Sequence, residues 1–388
     1  MTAATGGELR LIVDQLVSPV PGGIGRYAAG LGRALVETAP ARRGVVGVVS
    51  RVGREGIERV REAIPGLAGV DVLARPYRRL VLAWELGAVA AAELPAGSAT
   101  HAASQLAPLV PARRGRGARV VATIHDTVPW THPGTLTAFG AQWHRAMARR
   151  AARFADAIVV PSHAVAEELA RHVNLGSGDR VHVIGGAPSA ALALPPDADA
   201  RAGTLGLPER YVLAVGTLEP RKGLDALVAA MADPAAPDVP LVVAGPPGWG
   251  GIDLAALAAR TGLAPGRVRA LGRIADTDLA VAYARAAAFC MPSRAEGFGL
   301  PVVEAMALGA PVVHSDVPAL VEVAGGAGVA VPRDPAATHP SRLAAALREV
   351  VEDERRADAL RAAGLARAAR FSWRASAEAV WALHAALG

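Results

Sequence analysis

Two glutamates eight residues apart, Glu296 and Glu304, lie in the run EGFGLPVVEAMALGAPVV (residues 296–313). The preceding AAAFCMPS (286–293) has the continuous apolar character of a buried strand. Pro301 suits the first helical position, where its missing N–H is no loss, and Gly309 stops the helix. The spacing therefore predicts a strand–loop–helix unit, with Glu296, Gly297 and Gly299 in the loop and Glu304 near the first helical turn. Free backbone N–H groups and the positive end of the helix dipole then point out of the loop, and such an end attracts phosphate. Spacing alone leaves open an ordinary strand–loop–helix unit whose Glu is placed for the dipole.

A second pair of residues points the same way. Of the 41 Lys plus Arg, only Lys222 is lysine, and it stands between Arg221 and Gly223. A forked guanidinium beside a compact ammonium is a combination that binds phosphate oxygens in two different ways. Chance survival of a single lysine is the competing account.

The elements that must position these groups can be read from the alternation of short apolar runs with helical patterns, the mark of parallel βαβ units. Strands are predicted at 9–13, 45–50, 70–73, 119–124, 157–161 and 181–184, and then at 211–215, 241–244, 268–271, 287–291, 311–314 and 328–331. Between the two sets, residues 191–210 carry the Pro, Gly and Asp content of a linker. The division is thus an N-terminal domain over 1–195, a second domain over 205–370 and a C-terminal amphipathic helix over 371–388. Two doubly wound sheets joined by a hinge would leave a cleft at the carboxyl ends of their strands.

Composition bounds the class. At 388 residues with 52% hydrophobic and 20% charged residues the chain is globular, with ample core for two domains. Its one cysteine, Cys290, excludes a disulfide within the chain and suits a reducing cytosol. The N-terminus lacks the look of a signal peptide, and the best apolar candidate for a span, LVLAWELGAVAAAEL (80–94), is interrupted by Glu85 and Glu93. The expected location is the cytoplasm.

Through residue 195 the chain has 22 Arg against 14 Asp plus Glu, a net +8, while the remainder is −2. Arg75, Arg78 and Arg79, then Arg113, Arg114, Arg116 and Arg119, then Arg145, Arg149, Arg150 and Arg153 form clusters. Such a face would attract an anionic leaflet at the inner side of a membrane or a phosphorylated acceptor; solvated helix faces are the plainer account. Nucleic acid is not an expected partner, since aromatics make up 4% and do not interleave the basic clusters.

Three patterns are set aside. Gly23, Gly25 and Ala28 match a loose dinucleotide fingerprint, but the match is separated from its strand and lacks the acidic ribose ligand after the second strand. Asp197 with Asp199, and Asp276 with Asp278, mimic a metal-binding Asp-x-Asp; the first pair lies in the linker and the second opens a helix. No His or carboxylate cluster reads as a metal site, so neither a metal nor a cofactor is expected. His125-Asp126 could by itself be a core histidine followed by a turn aspartate.

The run at 296–313 closely resembles the donor-sugar site of the retaining family-four glycosyltransferases of the GT-B fold. VGTLEPRKG (215–223) resembles the family's diphosphate-binding segment, TIHDTVPWTHP (123–133) its His-Asp acceptor-side loop, and PGGIGRY (21–27) its first glycine-rich loop. VPSHAVAEEL (160–169) and the stretch 315–328 also fit. The resemblance implies an α/β GT-B architecture of two Rossmann-like domains facing a central cleft, the last helix crossing back to the first domain. It implies a retaining hexosyl transfer from a nucleotide-sugar donor to a glycan or lipid-linked acceptor. Glu304 would bond the nucleotide ribose and Glu296 the hexose hydroxyls. The amides of Gly297, Phe298, Gly299 and Leu300 would meet sugar or phosphate, and Arg221 and Lys222 would neutralise the leaving diphosphate. Gly22 and Gly23 would let the first loop close on the diphosphate, and His125, with Asp126 beside it, would serve the acceptor side. GTLEPRKG (216–223) and HDTVP (125–129) resemble most the motifs of mannosyltransferases using GDP-mannose, which the resemblance gives as the expected donor. A glycoside phosphorylase or sucrose- or trehalose-type synthase of the same fold, and a non-catalytic GT-B binding protein, remain as alternatives.

Overall fold

The computed structural model describes residues 7–111, 117–176 and 178–388. They form two compact units, one made of residues up to 133, 137–186 and 372–388, the other of 134–136 and 187–371.

The first unit holds a parallel sheet of β1 (Glu8–Ile12), β2 (Gly44–Val49), β3 (Gly69–Val72), β4 (Ala99–Ala102), β5 (Arg119–Thr123), β6 (Ala157–Val160) and β7 (Val181–Val183), in the order β3-β2-β1-β4-β5-β6-β7. The second holds β8 (Val212–Val215), β9 (Leu241–Ala244), β10 (Val268–Gly272), β11 (Ala288–Met291), β12 (Val312–Ser315) and β13 (Val329–Val331), in the order β10-β9-β8-β11-β12-β13. Every pairing is parallel. Strand order reverses between β1 and β4 and again between β8 and β11; ligands of open α/β sheets bind outside the carboxyl ends of strands at such points. The segment 215–223 leaves β8 and the segment 292–299 leaves β11, so both run out from the second reversal.

The central strands read as unbroken apolar runs because both faces are covered; LVVA of β9 and AFCM of β11 are buried throughout. Strand β4, absent from the sequence reading, is the exception. Its ATHA buries Thr100 and His101, whose polarity hid the strand. His101 lies 3.4 Å from Thr123 Oγ1 and 3.4 Å from His384.

Two further differences concern boundaries. Helix Ala198–Thr204 occupies the expected linker, and the contact division falls at Gly186/Ala187 instead of residue 195. Its Arg201 explains the helix: the guanidinium bonds Asp197 at 2.8 Å one turn earlier and Asp278 at 2.8 Å. Asp199 pairs with Arg285. Both Asp-x-Asp patterns are therefore braces within the second unit.

The C-terminal helix Trp373–Leu387 packs in the first unit against Gly22–Glu37. Trp381 donates to the Leu35 carbonyl at 3.2 Å, and Trp373 lies over Gly30. A Cβ on Gly30 would stand 2.3 Å from the indole, so these helices approach at glycine distance.

Candidate functional site

In the second unit, the loop after β11 meets the loop after β8. Lys222, at the end of the 3-10 turn Pro220–Lys222, donates from Nζ to Glu296 Oε1 at 2.7 Å. Ser293 Oγ donates to the same oxygen at 2.8 Å, and Arg221 Nη1 lies 3.3 Å from Oε2. The Glu296 side chain is 8% exposed and that of Lys222 14%, so water screens the pair little. Burial alone would raise the Glu296 pKa, but the charges of Lys222 and Arg221 override it and hold the carboxyl below its usual range. Burial lowers the Lys222 pKa, opposed by Glu296 and reinforced by Arg221. The sequence expectation gave Glu296 to the sugar and the two cations to phosphate; the structure joins all three in one cluster, with Ser293 as an unforeseen fourth member.

The turn that presents Lys222 depends on Gly223, whose φ is +66° and whose Cβ would stand 2.1 Å from the Pro292 carbonyl oxygen. Only glycine meets both conditions. Gly299 plays the matching part before helix Leu300–Ala307: it is the N-cap, with φ 94°, and provides no capping side chain. In that first turn Pro301 has no N–H and Val302 N donates to the Gly299 carbonyl at 2.9 Å, so the amide that faces outward for an anion is that of Leu300, at the positive end of the helix dipole. Phe298 packs edge-on against Phe371 at 5.6 Å, and Gly297 is buried.

Glu304 lies just past the first turn of that helix, within one residue of the position its spacing predicts. It is 3% exposed, and Oε2 accepts from the Tyr283 hydroxyl at 3.1 Å. Nothing in the sequence couples Tyr283, on helix Asp276–Ala284, to Glu304 on another helix.

In the first unit, His125 follows β5 and its Nε2 lies 2.7 Å from the Ala103 carbonyl, so Nε2 carries the proton and donates. Its pKa is lowered by burial against the opposing effects of that bond and of Asp126. A neutral ring then offers Nδ1 as an acceptor. The Tyr27 ring stands edge-on to it at 4.8 Å, tying the 21–27 segment to His125. Asp126 Oδ1 accepts from the Val128 amide at 3.1 Å, the turn role that the sequence left open. Gly22 and Gly23 begin helix Gly22–Glu37 instead of lying in a loop. Gly22 has φ +59°, whereas Gly23 has neither a positive φ nor any atom within 4 Å of the point where a Cβ would stand.

The arginine clusters divide. Arg145 donates to the Pro129 carbonyl at 2.7 Å, Arg119 to Leu387 at 2.9 Å, Arg150 to Leu109, and Arg75 to Glu93 and Ala88. Arg78, Arg79, Arg149 and Arg153 are exposed. Arg113, Arg114 and Arg116 lie outside the described residues. Among those described, no group of three His, Cys, Asp or Glu is arranged to hold a metal, and no helix is long and apolar enough to cross a membrane.

The family model for glycosyltransferase family 4 matches residues 21–187, and that for glycosyl transferases group 1 matches residues 197–367. O-antigen chain mannosyltransferase B of Escherichia coli is 41% identical over 42% of this chain and 42% of its own length. The D-inositol 3-phosphate glycosyltransferase of Segniliparus rotundus is 35% identical over 50% of the chain and 44% of that protein. The matches thus span less than half the length of these two relatives. D-inositol 3-phosphate glycosyltransferase 1 of Catenulispora acidiphila matches at 31% identity over 99% of the chain and 97% of its own length. Sucrose-phosphate synthase of Thermosynechococcus elongatus has TM-score 0.76 at 24% identity, covering 98% of this chain and 99% of that one. HepE of Anabaena, in complex with UDP and glucose, has TM-score 0.75 at 21% identity, covering 98% and 100%. These structural likenesses establish the GT-B architecture. With both halves matched by family models and one relative aligned along nearly its whole length, the chain belongs to glycosyltransferase family 4.

Proposed function

We propose that the protein transfers a hexose, with retention, from a nucleotide-sugar donor to a glycan or lipid-linked acceptor, and that mannose from GDP-mannose is the donor pair. The observation that carries this reading is the convergence of Lys222, Arg221 and Ser293 on buried Glu296, beside the glycine-capped start of helix Leu300–Ala307 and at the strand-order reversal of the second sheet. The named mannosyl and inositol glycosyltransferase relatives favour this reading over the phosphorylase or synthase alternative.

The chemistry assigns each group a task. The C1–O bond to the diphosphate breaks while the acceptor oxygen bonds C1 on the same face, and the acceptor proton passes to the departing phosphate oxygen. The main electrostatic demand is the charge on the leaving diphosphate, which preorganised donors meet. Arg221, Lys222 and the amides of Gly297, Phe298, Gly299 and Leu300 are those donors, and no metal or cofactor is invoked. An incoming diphosphate competes with Glu296 for both cations, so donor binding frees Glu296 for hexose hydroxyls. Glu304 takes the ribose. His125 offers Nδ1 to a hydroxyl on the acceptor side, and Gly22 and Gly23 admit close backbone approach; Gly23 has no conformational or steric need to be glycine. The setting is the cytoplasm, with Arg78, Arg79, Arg149 and Arg153 available to an anionic leaflet or a phosphorylated acceptor.

A panel of nucleotides and nucleotide sugars tests the reading through thermal stabilisation and slow donor hydrolysis. A donor at a hundred times its Kd should stabilise by about 2.7 kcal/mol. Glu304→Ala should weaken the responding nucleotide by about 1.5–3 kcal/mol, the value of a hydrogen bond to a charged group. No response to any nucleotide, or unchanged affinity in Glu304→Ala, would reject the assignment.

A further inference from the structure

We propose that Tyr283 is a positioning residue that sets the plane of the Glu304 carboxylate and so gives the nucleotide site its preference for ribose over deoxyribose. The proposal rests on the reading of Glu304 as the ribose ligand.

A carboxylate at 3% exposure must be hydrogen bonded, and Tyr283 donates to Oε2 at 3.1 Å. The phenol is itself immobilised. Its ring is fully buried, stands edge-on to Phe289 of β11 at 5.5 Å, and belongs to a helix whose last turn is pinned where Tyr211 donates to the Ala282 carbonyl at 2.7 Å. A fixed donor thus meets a side chain that, with three rotatable bonds, would otherwise choose among several rotamers. A carboxylate has about four lone-pair sites, so a phenol at one of them fixes its plane while leaving capacity for hydroxyl donors. Recognition of a vicinal diol needs that fixed plane, because two hydroxyls must reach oxygens in one geometry. A site built this way rejects an analogue that lacks a hydroxyl, since its buried acceptor then goes unpaired. A phenol serving only to pack would have no effect on that discrimination.

Tyr283→Phe keeps the ring against Phe289 and removes only the hydroxyl. Calorimetric Kd values for GDP and UDP, each with its 2′-deoxy and 3′-deoxy forms, would be measured on the full chain for wild type, Tyr283→Phe and Glu304→Gln. For the base that binds more tightly, wild type should prefer ribose by about tenfold to a hundredfold. Tyr283→Phe should cut that ratio by about fivefold or more, with deoxy affinities changed less than about twofold, because the lost bond acts through the ribose contact alone. Glu304→Gln should collapse the ratio. If Glu304→Gln collapses it and Tyr283→Phe leaves it intact, positioning is wrong while the ribose role stands. If Glu304→Gln leaves it intact, the ribose role falls and the proposal with it. Should Tyr283→Phe fail to fold, 3-fluorotyrosine at position 283, a near-isosteric and stronger donor, must alter the ratio; an unaltered ratio overturns the proposal.

Discussion

Replacing Lys222 by Met removes the ammonium 2.7 Å from Glu296 while keeping most of the stem. Losing one partner of a buried pair costs about 3–5 kcal/mol, because the other charge stays buried and uncompensated. Here Ser293 at 2.8 Å and Arg221 at 3.3 Å continue to serve the carboxylate, so the expected loss falls below that range, at about 2–3 kcal/mol. For a unit of this size that is a fall in Tm of about 4–12 °C, read by calorimetry on the transition of the second unit. Adding Glu296→Gln removes the stranded charge, so the double variant should be more stable than Lys222→Met alone. The pH dependence has a definite sign. The Glu296 pKa is depressed in the folded state, so the pair's contribution is full above the ordinary value of 4.5 and is lost as pH falls through the folded value. The penalty of Lys222→Met should therefore shrink below about pH 4.5. Lys222→Arg keeps the charge but not the compact shape, so it should lose less stability than Met and still lose transfer. Strictly additive single effects, or a penalty indifferent to acid, would refute the view that Glu296 is held ionised by Lys222.

Glu296→Ala should lower turnover more than nucleoside diphosphate affinity in steady-state and calorimetric measurements; a larger loss in GDP or UDP binding would move Glu296 from the sugar to the phosphate. His384, whose pKa burial pushes down to about 4 with Arg43 assisting, makes stability full above pH 6.5 and progressively lost toward about pH 4, because the unfolded chain takes up the proton first. His384→Gln should flatten that slope in urea titrations, and an unchanged slope would assign it to other groups. Neutralising Arg113, Arg114 and Arg116 together should weaken salt-sensitive binding to anionic vesicles and reduce acceptor turnover while sparing donor hydrolysis. Equal binding of the parent protein to neutral and anionic vesicles would instead leave a soluble acceptor.

What could be read in advance follows from the range of the interactions involved. Parallel strands buried on both faces are apolar runs, so most of both sheets was legible; β4 was not, because Thr100 and His101 are polar residues that are nevertheless buried, His101 beside Thr123 and His384, both distant in sequence. Arg221, Lys222 and Glu296 stood out by residue type, but the Lys222–Glu296 pair spans 74 positions and, like the contact of Arg221, is set by the crossover that brings β8 beside β11. Tyr283 was invisible because its bond to Glu304 joins two different helices, a contact that no periodicity within either one reveals. The helix at 198–204 was hidden by turn-forming residues whose charges are used in a brace to Arg201.

Glycines show most clearly how structure separates two kinds of necessity that sequence merges. Gly223 and Gly299 look in sequence like Gly22 and Gly23, small residues beside a suspected phosphate site. Gly223 is demanded by the fold itself, since its φ is +66° and a Cβ would strike the Pro292 carbonyl. Gly299 is likewise demanded, with φ +94° and Leu320 2.4 Å from its Cβ position. Substituting either perturbs the folded chain before any ligand arrives, so lost activity in such a variant says little about binding. Gly23 is the opposite case: its backbone is ordinary and the space around it is open, so alanine there costs the fold little and improves helix propensity. A Gly23→Ala variant of full stability and impaired donor use would therefore assign that glycine to ligand approach. Unimpaired donor use would remove the 21–27 segment from the donor site.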